Sequence, residues 1–361
     1  MNKKIIFSAG GTGGHIFPAI NLMKHFSEKG YETVLVTDEK GNNFVNKYSE
    51  FKSHKLKAAT PTNKNFLYKI LSLAIIFYSL LQSILILKKE KADLIIGFGG
   101  YVSFPISFVS KFFNLPLIIY EPNMVLGRAN KYLISSAKKI FLSKTIKKNF
   151  PEKFKYKVDI VGSIINKDII NYSNFEKKNN KENFSILVLG GSQGAEIFGE
   201  IVPPVINMLK SQGHEIQINQ QSTKNQKNSI AEYYKKKNIK NYVFEFEKNI
   251  LDLILLSDLA ITRCGASSTA ELVYTTTPFI AVPLPNSIDN HQYLNAKFYE
   301  DKDYCWILDQ NNFNKENLFN LILEIIKDKK KLLTKCQNMK KSHTNDVYSV
   351  IEEKIKEIIK I

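Results

Sequence analysis

Four glycines fall within five residues at Gly10, Gly11, Gly13 and Gly14, with Thr12 among them and His15 directly behind. The stretch IIFSAGGTGGHIFPAI, residues 5–20, runs from an apolar strand pattern through that patch into a helical one. Bare glycines at such a turn let backbone N–H groups close on an anion, and the helix N-terminus behind them adds partial positive charge. The chemistry this suggests is phosphate or pyrophosphate binding; the alternative is a tight strand-to-helix turn with no ligand. A Walker A loop needs Lys and then Ser or Thr after its last glycine, whereas His15 and Ile16 stand there. A dinucleotide fingerprint counted from Gly11 meets Ile16 at its last glycine position, although Asp38 after the next strand mimics the ribose-binding acid. A nicotinamide oxidoreductase therefore stays as an alternative. The helix dipole disfavours the charged form of His15, so a neutral imidazole is available as a base there; equally, it can hydrogen-bond a phosphate or cap the turn.

Further clusters of the same kind follow. GFGGYVSFP, residues 97–105, adds Gly99, Gly100 and Tyr101, and YEPNMVLGRAN, residues 120–130, offers Glu121, Asn123 and Arg128. Strand ends of one sheet converge, so these groups can line one pocket, with a helix cap as the plainer role for Glu121. In the second half, LGGSQGA supplies Ser192, Gln193 and the N–H groups of residues 191–195. TRCGASSTAELV places Arg263 just past a strand, then Gly265, Ala266, Ser267, Ser268, Thr269 and Ala270, then Glu271 inside a helix. That order suits a phosphate on the helix N-terminus and a carboxylate on ribose hydroxyls. PLPNSIDNHQYLNA puts His291, Gln292 and Asn295 at a loop-to-helix junction. No His, Asp or Glu set has metal-ligand spacing, so neither a metal nor a cofactor is expected.

The elements that must position these groups alternate between short β-rich runs and helical stretches, the pattern of βαβ units on a parallel sheet. The opening recurs as FSILVLGGSQGAEIFGEIVPPVINML at residues 184–209, so the chain holds two similar nucleotide-fold halves. A polar, Lys- and Asn-rich stretch at 166–184 reads as the linker between them. The expected architecture is α/β, two Rossmann-like doubly wound domains at 1–162 and 163–361 facing across a cleft, with the C-terminal helix a candidate to pack back on the first domain.

Composition limits the partners. The 361 residues carry a net charge of +17, which suits nucleic acid, an anionic membrane or an acidic substrate. Only two of the 51 cations are arginines, Arg128 and Arg263, and base readout favours arginine, so nucleic acid is set aside. The three cysteines are too scattered for a metal or redox motif and fit a reducing compartment. FLYKILSLAIIFYSLLQSILIL, residues 66–87, is long enough to span a bilayer, but the strand patterns on either side of it belong to one sheet, so a span is rejected. Lys69, Ser72, Ser79, Gln82 and Ser83 form a narrow polar stripe on this helix. It either packs on its own sheet or lays apolar surface and basic ends on anionic lipid, with SKFFNLP at 110–116 adding to the patch.

Taken in order, GGTGGH, GGYVS, GGSQGA, AEL and HQYLNA resemble the MurG family of peripheral-membrane transferases. The resemblance implies a GT-B fold, no metal, inversion at the sugar, and transfer of GlcNAc from UDP-GlcNAc to undecaprenyl-pyrophosphoryl-MurNAc-pentapeptide on the cytoplasmic face of the inner membrane. It implies His15 as candidate base and Glu121 as a weaker catalytic candidate. Gly10, Gly11, Gly13, Gly14, Gly99, Gly100 and Tyr101 would take the acceptor pyrophosphate. Thr12, Gly13, Gly14, Asn123, Ser192, Arg263, residues 265–270 and Glu271 would hold the donor, with His291 and Gln292 on its sugar and the backbone of residues 247–250 beside the uracil. The usual HEQN is YEPN here, GNP with a following arginine is GSIIN, RSGA is RCGA, and the first of two glutamines is His291. The first two departures keep a related glycolipid synthase with a diacylglycerol acceptor as the alternative.

Overall fold

The computed structural model describes residues 3–10, 13–45, 51–57, 59, 66–146, 150–172, 183–191, 195–342 and 346–359. Two compact units divide the chain: residues 1–166 with 344–361, and residues 167–343.

The first unit opens with β1 (Lys4–Ser8), α1 (Gly13–Glu28), β2 (Glu32–Thr37), α2 (Glu39–Val45) and β3 (Lys52–Lys55). It continues with α3 (Phe66–Glu90), β4 (Leu94–Gly97), α4 (Ser103–Val109), β5 (Leu117–Glu121), α5 (Arg128–Leu133), β6 (Lys139–Leu142) and β7 (Val158–Ile160). The seven strands are parallel in the order 3-2-1-4-5-6-7. The order reverses at β1, where the next strand in sequence lies on one side and β4 on the other. In doubly wound sheets ligands bind at the carboxyl ends beside such a reversal. The loops after β1 and β4, both glycine-rich, are the two that leave from it.

Alternation within each strand divides the core. Ile6, Ile95, Ile119 and Ile140 join one apolar cluster with residues of α3, α4 and α5. Their neighbours Phe7, Phe98 and Tyr120 make an aromatic row, with ring centroids 6.3 and 5.4 Å apart.

The serine stripe of α3 is its inner face. Ser72, Ser79 and Ser83 are buried, whereas Leu71, Leu73, Phe77, Leu81 and Leu85 are exposed. Helical geometry makes this affordable: Ser79 Oγ donates to Ile75 O and Ser83 Oγ to Ser79 O, so neither hydroxyl enters the interior unbonded. At the helix's end the buried Glu90 receives Lys52 Nζ and His54 Nε2, each at 2.7 Å. Burial would raise that carboxyl, but the two partners carry its pKa down to about 2. Because β1 pairs with both β2 and β4, the strands bracketing α3 belong to one sheet, as expected.

The second unit contains α6 (Lys167–Tyr172), β8 (Phe184–Leu189), α7 (Glu196–Ser211), β9 (Ile216–Gln221), α8 (Lys227–Lys236) and β10 (Lys240–Phe244). There follow α9 (Ile250–Leu255), β11 (Leu259–Thr262), α10 (Ala266–Tyr274), β12 (Phe279–Ala281), α11 (His291–Glu300), β13 (Cys305–Ile307), α12 (Lys315–Lys327) and α13 (Lys329–Lys341). Its parallel sheet runs 10-9-8-11-12-13 and reverses at β8, so the loops after β8 and β11 share the switch point. The expected linker is partly helical: α6 belongs to this unit, and residues 173–182 lie outside the described set. The last helix, α14 (Val347–Ile359), returns to the first unit, burying Tyr348, Ile351, Ile355 and Ile358. Its Glu352 pairs with His25 Nε2 of α1 at 3.1 Å, and Tyr348 OH donates to Ile165 O.

Candidate active-site loops

In the first unit the two switch-point loops approach closely enough for backbone to meet backbone. A Cβ on Gly100 would sit 2.8 Å from Gly10 O, and one on Gly10 would meet Val102 Cγ2 at 2.9 Å. Gly99 and Gly100 have φ of +92° and +82°, a region that side chains avoid. The glycines therefore serve two ends: they let the loops approach, and they leave N–H groups uncovered. Gly13 and Gly14 open α1, and Gly10 precedes them; Gly11 and Thr12 lie outside the described residues. His15 stands in the first turn of α1, its ring edge 3.1 Å from where a Cβ on Gly99 would lie. Tyr101, half-buried, follows Gly100.

Glu121 ends β5 with no exposure at all. Its Oε1 accepts from Asn123 N at 3.1 Å and Asn123 Nδ2 at 3.0 Å; its Oε2 accepts from Gly127 N at 2.8 Å and Asn130 Nδ2 at 2.9 Å. Burial pushes its pKa up and these four donors pull it back. A carboxylate enclosed by four N–H groups is a structural hub: Glu121, the weaker catalytic candidate, shapes the loop carrying Asn123. Asn123 itself is half-buried, its amide partly engaged in that hub. Asp38, the acid required by a dinucleotide reading, accepts from Gly41 N at 2.7 Å and braces α2. Pro122, where the family has a glutamine, offers its carbonyl to Ser143 Oγ at 2.7 Å.

In the second unit the end of β11 leads through Gly265 into α10. No side chain caps this helix, and a Cβ on Gly265 would meet nothing within 4 Å. Ala266, Thr269 and Ala270 are buried, and Thr269 Oγ1 donates back to Gly265 O, so what this turn can give a ligand is its N–H groups and the hydroxyls of Ser267 and Ser268. Ser267 Oγ is buried and has no partner among the described residues. Glu271 follows about one turn on, its carboxylate meeting no donor among the described residues, and burial pushes its pKa up to about 7. Unmatched helix N–H groups, an unmatched hydroxyl and an unmatched carboxylate together fit a diphosphate joined to a diol.

Arg263 is arranged differently from the expectation. Its Nη1 donates to Val282 O and Pro283 O at 3.1 and 3.3 Å, its Nη2 to Gln310 Oε1 at 2.6 Å, and the guanidinium lies 5.0 Å over the Phe198 ring. The side chain is buried and faces inward, tying the end of β11 to the end of β12 instead of standing before α10. Cys264 is buried too, and only its backbone acts: its N–H donates to Gln292 Oε1, and its carbonyl accepts from Asn295 Nδ2. The RCGA departure therefore changes an inward side chain. Because Gln292 Oε1 also accepts from Leu284 N at 3.0 Å, its amide is oriented with Nε2 turned outward as a donor. His291 Nδ1 lies 2.8 Å from Ile288 O, which leaves Nε2 as the presented nitrogen. Ser192 and Gln193 lie outside the described residues. Two residues escaped the sequence reading, Gln310 and Asn130. Neither sits in a glycine-rich motif, and for Asn130 the only signal was its place in the stretch that follows β5.

Comparison with known proteins agrees with this arrangement. Residues 5–142 match the glycosyltransferase family 28 N-terminal domain and residues 185–353 its C-terminal domain. Over 359 residues the chain is 36% identical to the UDP-N-acetylglucosamine--N-acetylmuramyl-(pentapeptide) pyrophosphoryl-undecaprenol N-acetylglucosamine transferase of Pelagibacter ubique, with 99% of each covered. It is 39% identical over 348 residues to the transferase of that name from Rickettsia felis, covering 94% of this chain and 95% of the relative. The crystal structure of Acinetobacter baumannii MurG superposes with a TM-score of 0.80 over 99% of this chain and 100% of that one, at 23% identity. The two parallel-sheet units are thus a GT-B fold, and the chain belongs to the MurG family within glycosyltransferase family 28.

Proposed function

We propose that this protein transfers GlcNAc from UDP-GlcNAc to the 4-hydroxyl of MurNAc in undecaprenyl-pyrophosphoryl-MurNAc-pentapeptide. The near full-length identity to transferases named for that reaction supports the substrates. The observation that carries the donor assignment is α10, where an uncapped N-terminus and unmatched Ser267 Oγ precede the unmatched Glu271. The diphosphate sits on the helix N-terminus, Glu271 accepts from the ribose, and Gln292 Nε2 with His291 Nε2 reach the sugar. Arg263 holds the turn in place. In the first unit Gly10, Gly13, Gly14, Gly99, Gly100 and Tyr101 bind the acceptor's pyrophosphate, with Asn123 beside them.

The muramyl hydroxyl oxygen bonds to the anomeric carbon from the face opposite UDP. The bond to the diphosphate oxygen breaks with its electron pair leaving on UDP, and the configuration inverts. His15 takes the hydroxyl proton. Charge on the departing diphosphate is met by α10's N–H groups, so no metal ion is needed. Among the described residues no three His, Cys, Asp or Glu side chains group as a metal site.

We also propose that the chain docks peripherally on the anionic cytoplasmic face of the inner membrane. The exposed Leu73, Phe77, Leu81 and Leu85 of α3 lie between Lys69 and the pair Lys88 and Lys89. Phe112 and Tyr132, both exposed, are linked to α4 through ring contacts at Phe108 and Phe104 and enlarge the apolar surface. An amphipathic helix with basic ends suits such a surface.

Transfer of radiolabelled GlcNAc, with EDTA present, to a short-chain lipid-linked muramyl-pentapeptide or to diacylglycerol tests the reading. Product on the muramyl lipid is expected. Product on diacylglycerol alone would move the enzyme to glycolipid synthesis, and loss of product with EDTA would overturn metal independence. His15→Ala should lower turnover far more than UDP-GlcNAc affinity; an equal loss in both reassigns His15 to binding.

A further inference from the structure

Asn130 is enclosed in the first unit at 1% exposure. Its Nδ2 donates to Glu121 Oε2, which fixes the carboxamide, since an amide oxygen turned to a carboxylate would be repelled. Oδ1 therefore points away from Glu121. It is a buried acceptor that no donor among the described residues reaches, a condition rare enough in folded proteins to need a reason.

Gly99 shows what lies close by. A Cβ built there would come 3.1 Å from His15 Cε1, 3.3 Å from His15 Nδ1 and 3.5 Å from Asn130 Nδ2. The Nδ1 edge of the imidazole and the Asn130 carboxamide thus converge on a point that only glycine leaves open. The pair is not bonded in the resting chain, and contacts of this kind commonly tighten only when substrate is bound.

We propose that Asn130 is a positioning residue for His15: with substrate bound, its Oδ1 accepts the His15 Nδ1–H and holds the ring in the tautomer whose Nε2 lone pair faces the attacking hydroxyl. This rests on the reading of His15 as the base. Glu121 takes no proton; it orients the amide that orients the imidazole. As the hydroxyl proton moves to Nε2, the ring becomes imidazolium and the Nδ1–H···Oδ1 bond strengthens as a charge-assisted one, which raises the pKa of His15. An asparagine serves a histidine in this way in papain-like proteases.

The test uses the full chain carrying ¹⁵N-histidine, saturated with UDP and a short-chain acceptor lipid. His15 signals are identified by their loss in His15→Gln, and two-bond ¹⁵N–¹H spectra report which ring nitrogen holds the proton. The parent should show Nδ1–H. Asn130→Ala should shift His15 toward the Nε2–H form, lower kcat by about tenfold or more with the UDP-GlcNAc KM within about twofold, and move the acid limb of the kcat profile to lower pH. Should that variant not fold, Asn130→Ser keeps a donor for Glu121 and should show the same shifts. An unmoved tautomer and acid limb in a folded variant overturn the proposal and leave Asn130 as a strut. The base reading is judged separately: a His15→Ala enzyme that keeps its kcat removes the base, while the tautomer result still decides Asn130.

Discussion

Glu121 Oε2 and Asn130 Nδ2 meet at 2.9 Å in the interior of the first unit, and the same carboxylate gathers Asn123 and Gly127. Loop residues are thereby fixed by a group that touches no solvent. Glu121→Gln replaces one acceptor oxygen with a donor that must face an existing N–H. A loss of about 1–3 kcal/mol in urea unfolding is expected, with turnover falling alongside. Full stability combined with abolished turnover would assign Glu121 to catalysis.

Gly99 and Gly30 make a matched pair. Both have positive φ, +92° and +84°, but a Cβ on Gly30 meets nothing within 4 Å, whereas one on Gly99 presses on His15. Alanine at either site should cost roughly 1–2 kcal/mol from the left-handed backbone. Only Gly99→Ala should also lose turnover, by about a hundredfold, because a displaced base is costly. Thermal unfolding and initial rates of the two variants check this, and equal rates would detach His15 from catalysis.

Glu271 ties donor binding to pH. Its carboxyl pKa is raised to about 7, and ribose hydroxyls donate more strongly to the ionised form. UDP therefore binds best above pH 7, its affinity falling by up to about tenfold per unit below that as the protonated carboxyl must first lose its proton. Calorimetry in two buffers of different ionisation enthalpy should show proton release near neutrality. Glu271→Gln should flatten the pH dependence; a parent profile already flat between pH 6 and 8 would separate Glu271 from the ribose.

Arg263 distinguishes brace from ligand. Its three guanidinium bonds and its position over Phe198 cannot be reproduced by an ammonium. Arg263→Lys should cost about 2 kcal/mol in unfolding, with UDP affinity reduced in step. If stability is retained and UDP affinity alone collapses, the arginine reaches the phosphates after all.

Both parallel sheets and the two glycine-rich switch-point loops were legible, because apolar strand runs and glycine patches are local signals. The sense of Arg263 was not: whether a guanidinium faces a ligand or a carbonyl depends on β12 and Gln310, which are distant in sequence. The four donors that enclose Glu121 were likewise not legible as its partners. The edge strand β3, Lys-Ser-His-Lys, has no apolar alternation and is defined by Glu90, which receives both Lys52 and His54. The polar stripe of α3 left open which face of the helix packs. Its hydroxyls turn inward because each can bond the preceding helical turn.

That inward-facing stripe sets the last prediction. Phe77 and Leu81 are 63% and 46% exposed, so a charge at either leaves the packed interior untouched. Phe77→Glu and Leu81→Glu should unfold like the parent in urea. On vesicles containing anionic lipid they should bind at least about tenfold more weakly, since each removes an apolar side chain worth about 1.5–3 kcal/mol when buried in the interface. Raising the salt should release the parent too, because the contribution of Lys69, Lys88 and Lys89 is screened, whereas a spanning helix would stay. Ser79→Leu is the converse variant: its side chain is buried at 0% exposure, so it should lose stability through overpacking while vesicle binding by the folded fraction is kept. If Phe77→Glu binds vesicles like the parent, α3 is not the docking face, and its exposed leucines need another partner.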